Sequence, residues 1–72
     1  MDVKLLLARN VREYREKLGF SQEELAEVSG LHRTYISGIE RGVRNPTISV
    51  VAVLAKALNI SVSALLSKAG EK

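Results

Sequence analysis

Seventy-two residues make one domain's worth of chain, whose core alone seldom supplies more than about 3 to 5 kcal/mol. The absence of cysteine and the single histidine, His32, exclude a disulfide framework and a self-contained zinc site, which leaves oligomerisation as the expected source of extra stability. The net charge of +3 is unevenly placed: acids outnumber bases up to Val28, whereas from Ser29 to Gly70 five bases (Arg33, Arg41, Arg44, Lys56, Lys68) accompany one acid, Glu40.

A first helix fits Val3 to Leu18, with Leu6, Leu7, Val11, Tyr14 and Leu18 recurring at three- and four-residue spacing and Gly19 as its stop. Ser21 caps a second helix running to about Val28. Glu24, three residues after the cap, completes a capping box, and Phe20 stands outside it in the position of a hydrophobic staple. Gly30 and Leu31 make a turn, and a third helix covers about Arg33 to Arg41, closed by Gly42. Asn45-Pro46-Thr47 breaks the chain and starts a fourth helix to Leu58. Ser61 caps a fifth, from about Val62 to Lys68. No strand is expected. With no internal repeat and no long linker, residues 1–72 are expected to form a single all-α domain. The apolar part of the N-terminus is too short for a signal peptide, and the run from Ile48 to Leu58 is interrupted by Lys56, so a cytoplasmic protein without membrane contact is expected.

The stretch from Gln22 to Arg41 carries the most information. Ala26 stands where two steeply crossing helices nearly touch. Gly30 stands where the connecting turn needs positive φ, and Ile36 and Ile39 face inward from the following helix. Those demands define a helix-turn-helix. The exposed residues at the front of its second helix, Arg33 and Thr34, are the candidates for reading bases in the major groove. Arginine can grip guanine O6 and N7 together, and threonine offers a hydroxyl and a methyl. Ser37, one turn on, faces the same way toward a base or a phosphate. Tyr35 has two equal readings, core or DNA. Gly38 is expensive inside a helix and is read as allowing close approach to the DNA backbone, with relief of crowding against a neighbour as the rival.

Together with Glu-Arg-Gly at 40 to 42, Asn45-Pro46-Thr47, the Leu54-Ala55-Lys56-Ala57-Leu58 helix and the closing Val62-Ser63-Ala64-Leu65-Leu66, this motif resembles the lambda-repressor-like family of phage repressor and Cro type. Arg-Thr-Tyr-Ile-Ser-Gly-Ile-Glu-Arg-Gly from Arg33 looks most like the controller proteins of restriction-modification systems. The resemblance implies five short helices and a transcription regulator on double-stranded DNA, without a cofactor. It implies phosphate contacts from Gln22 and from the loop residues Arg41, Arg44 and Asn45, to which His32 is added as a candidate. It also implies an ion pair between Arg15 and Glu40, and both repression and activation at tandem sites in the protein's own promoter. Occlusion of a promoter would repress, and a site just upstream would let the exposed acids Glu23, Glu24 and Glu27 or a neighbouring surface touch RNA polymerase; the sequence does not choose between these.

Helix four is apolar on two sides. Ile48, Val51, Leu54, Ala55 and Leu58 suffice for an inward face, and Val50 and Val53 add a second. A homodimer is therefore expected through Val50, Val53 and Ala57, with Val62, Leu65 and Leu66 nearby, acting on an inverted-repeat operator. The rival is an antitoxin-like or adaptor protein that uses the same surface for a different protein. Nothing favours an enzyme: there is no paired-carboxylate face, no glycine-rich phosphate loop, and no orienting acid beside His32.

Overall fold

The computed structural model describes residues 2–68, which form five helices and, among those residues, no strand. Local capping chemistry sets the helix starts. Asp2 accepts from the Lys4 amide (2.9 Å) to open α1, Val3–Lys17. Ser21 opens α2, Gln22–Ser29, with a reciprocal box: the Glu24 amide donates to Ser21 Oγ (3.0 Å) and the Ser21 amide to Glu24 Oε1 (2.7 Å). Gly30 follows at φ 75°, a left-handed conformation that lets the chain reverse into α3, Arg33–Glu40. Thr47 caps α4, Ile48–Ala57, and Ser61 caps α5, Val62–Leu65.

The inner faces meet in one core made of Leu7, Val11, Leu25, Ile36, Ile39, Val51, Leu54, Ala55, Leu58 and Leu65. α1 packs on α3 and α5, α2 on α3 and α4, and α4 on α5, so the helix-turn-helix is held from behind by α1 and α4. No helix among the described residues is long and apolar enough to cross a membrane.

Three sequence expectations change here. Ile48, expected inward, is 69% exposed: it shares the face of Val51 but lies one turn earlier, where no helix among the described residues covers it. Val50, expected outward, packs partly against the core. Leu18 stands at the C-cap of α1, exposed, and does not extend the buried stripe.

α5 is also shorter than expected, ending at Leu65 where the pattern ran on to Lys68. Asn10, a buried polar residue of α1 that the apolar spacing does not flag, supplies the reason. Its Nδ2 donates to the carbonyls of Leu65 (2.8 Å) and Ser67 (2.6 Å). Carbonyls two residues apart in an α-helix leave from nearly opposite sides of the axis, so one amide can collect both only where the helix has ended. Asn10→Ala should therefore cost about 2 kcal/mol, because the Leu65 carbonyl would stay buried without a donor. Thermal denaturation should show a fall of roughly 10 °C. An unchanged melting temperature would mean that solvent satisfies these carbonyls.

Candidate nucleic-acid interface

α3 is anchored by Ile36 and Ile39, both essentially inaccessible, and this fixes which of its side chains face outward. Arg33 and Thr34 in its first turn are exposed, and Ser37 is partly so. His32 is the N-cap residue; its side chain makes no capping bond and is exposed. Tyr35 is partly buried and packs against the core. Beyond the helix, Arg41, Arg44 and Asn45 are exposed on the loop leading to α4, so the expected base-reading and phosphate-facing groups other than Gln22 and Gly38 lie on one stretch from His32 to Asn45.

The orientation of that stretch is held by a polar junction between α1, α2 and α3. Arg15 Nε and Nη2 donate to the two carboxylate oxygens of Glu40 at 2.7 and 3.0 Å, and Arg15 Nη1 donates to the Phe20 carbonyl at 2.7 Å. The side chains are 11% and 5% exposed. The two parallel bonds fix the guanidinium plane, and with it the angle of α3 against α1. Hydrogen bonding to Glu40 raises the Arg15 pKa against the opposing effect of burial, so the guanidinium stays charged. Gln22, at the start of α2, donates from Nε2 to Glu40 Oε1 at 3.0 Å. An amide nitrogen carries two hydrogens, so Gln22 joins this junction with a second donor to spare. The junction among Gln22, Phe20 and Glu40 is not visible in the sequence; the signal that could have suggested it is the only acid after Ser29 within the described residues.

Two expected site residues stand elsewhere. Gly38 is buried, and the Arg44 side chain lies over it, so it presents no open approach to a duplex. Leu65, expected at an interface between copies, is fully enclosed in the core. Of the other residues expected there, Val53 is 39% exposed, while Val50, Ala57, Val62 and Leu66 are partly buried against the core.

Residues 11–65 match the helix-turn-helix family. The chain belongs to that family. Over all 72 residues it is 58% identical to the control protein C.SmaI of Serratia marcescens, covering 86% of that protein. Among solved structures it is similar to the restriction-modification controller protein C.AhdI of Aeromonas hydrophila, with a TM-score of 0.83 and 42% identity over 86% of this chain and 94% of that one. It is also similar to SinR, the master regulator for biofilm formation, in a structure with DNA: TM-score 0.80 and 35% identity, covering 85% of this chain and 98% of that one. This family of lambda-repressor-type fold is one of DNA-binding transcription regulators, and restriction-modification controllers are among the chain's near relatives.

Proposed function

We propose that this helix-turn-helix protein regulates transcription as a homodimer on an inverted-repeat operator, controlling its own promoter and a restriction-modification operon. The observation that carries the reading is the exposed pair Arg33 and Thr34 at the front of a helix whose rear is locked by Ile36 and Ile39, followed by Arg41, Arg44 and Asn45. Arg33 reads guanine in the major groove, Thr34 and Ser37 touch neighbouring base edges, and Tyr35 borders them. Gln22 uses its spare amide hydrogen on a phosphate, and His32 with the loop residues clamps the backbone and sets the salt dependence.

Dimensions support two copies. One molecule measures 28 Å along its longest axis and carries one recognition helix, so only a pair can address successive major grooves about 34 Å apart. The surface they share centres on Val53, flanked by Val50, Ala57, Val62 and Leu66. Glu23, Glu24 and Glu27, exposed on the first two turns of α2, are the surface offered to RNA polymerase when the operator lies just upstream of a promoter. No catalytic step is assigned to the protein, and its work is in the cytoplasm, with the DNA.

Selection of binders from a randomised duplex pool near physiological salt, with Arg33→Ala beside the unaltered protein, tests this. The expected result is an inverted repeat containing guanine in each half-site. Discrimination at that guanine should fall by about 1 to 3 kcal/mol in the variant. Equal binding of every sequence by both proteins would overturn the operator reading and point instead to a protein partner.

A further inference from the structure

A notch in α3 is filled by a side chain from the loop that follows it. A Cβ placed on Gly38 would lie 2.6 Å from Arg44 Cγ, 3.4 Å from its Nε and 3.5 Å from its Cδ. The backbone repeats the attachment, because the amides of Val43 (3.0 Å) and Arg44 (3.3 Å) both donate to the Gly38 carbonyl. The Arg44 guanidinium carbon lies 5.6 Å from the centroid of the Tyr35 ring, within range of a cation–π contact. A glycine in the interior of a helix lowers its stability, so its presence here needs a compensating use.

We infer that Gly38 and Tyr35 form a seat that preorganises Arg44 for a DNA phosphate, which makes Gly38 a positioning residue and not a contact. The inference rests on the DNA-binding reading above. A free loop arginine loses most of its rotamer freedom when it engages a ligand, whereas one already laid in a notch and held over an aromatic face has lost it beforehand. Alanine at position 38 would bring its Cβ to 2.6 Å from Arg44 Cγ, close to the root of that side chain, so Arg44 has to leave the notch and the loop backbone that carries it has to give as well.

The test compares Gly38→Ala, Arg44→Ala and the double variant on the selected operator and on a duplex of arbitrary sequence. Gly38→Ala should stay folded at the temperature of the binding measurements, the overlap with Arg44 Cγ being set against the roughly 1 kcal/mol by which alanine favours the helix, and helical circular dichroism checks this. It should bind both duplexes about tenfold more weakly near physiological salt, with the slope of log K against log salt reduced by about one. Arg44→Ala should do the same, and the double variant should be no weaker than either. A readout without DNA accompanies these: the Arg44 Nε–H proton resonance, shifted by the Tyr35 ring, should return to its solvated position in Gly38→Ala and in Tyr35→Leu. Unchanged affinity and slope in Gly38→Ala would overturn the proposal. So would a further loss when Gly38→Ala is added to Arg44→Ala, since Gly38 would then act on DNA itself. If the unaltered protein binds neither duplex, the DNA-binding reading fails, and the Nε–H resonance still shows whether the seat exists.

Discussion

Arg15→Ala is expected to cost about 3 kcal/mol or more of folding stability, the usual consequence of leaving a buried charge without its partner. Glu40, 5% exposed, would lose two charge-assisted hydrogen bonds and keep only the one from Gln22, while the Phe20 carbonyl would lose its donor as well. For a domain of this size that corresponds to a fall in melting temperature of roughly 15 °C. Against a core worth only about 3 to 5 kcal/mol, much of the chain would then be unfolded at growth temperature. Helical circular dichroism against temperature and urea measures this directly. Replacing both members, Arg15→Met with Glu40→Met, should cost far less than Arg15→Ala alone, because no orphan charge remains. If Arg15→Ala cost under about 1 kcal/mol, the pair would be behaving like a solvated surface ion pair, and the geometry of α3 would have to come from the apolar core alone.

The second large effect concerns assembly. If the proposed homodimer forms through Val53, Val53→Glu should leave monomers in sedimentation, since the change would place two carboxylates near its two-fold axis in an apolar contact where neither finds a partner. Operator affinity should fall by at least about a hundredfold, because two half-sites bound by separate molecules lose the effective concentration that a dimer provides. The variant should still fold: Val53 is 39% exposed, and Val51, Leu54, Ala55 and Leu58 line the inner face of α4 without it. A Val53→Glu protein that sediments as the unaltered dimer would move the contact elsewhere on the molecule.

Much of this architecture is legible because its decisive signals are local. Ser21 with Glu24, Thr47 and Ser61 announce helix starts by the chemistry of a single turn, and Gly30 announces the reversal by its backbone freedom. The charge asymmetry and the order of side chains from Arg33 to Asn45 likewise place an exposed basic stretch along the recognition helix and its loop. What escaped was the extent of cover. Helical spacing gives the direction of the apolar face of α4 but not where its neighbours stop, so Ile48 was expected inside and Val50 outside. Contacts between residues far apart in the chain leave no local trace: the buried amide of Asn10 is set by α5, and Gln22 belongs to the junction at Glu40 because two helix ends converge there. Gly38 was recognisable as anomalous in a helix, yet only the path of the loop shows that the space it leaves is taken by Arg44.

The clasp between Asn10 and the carbonyls of Leu65 and Ser67 also sets a timetable. A single helix forms within about a microsecond from its own residues, whereas Asn10 meets the Leu65 carbonyl only across 55 residues of chain, so α2 and α3 can form for an interval before α5 is in place. Throughout it, α1 lacks the carbonyls that satisfy its buried amide, and the core lacks Leu65. The recognition helix can therefore form before it is firmly mounted, and the contacts that mount it are complete only once α5 has docked on α1 and α4.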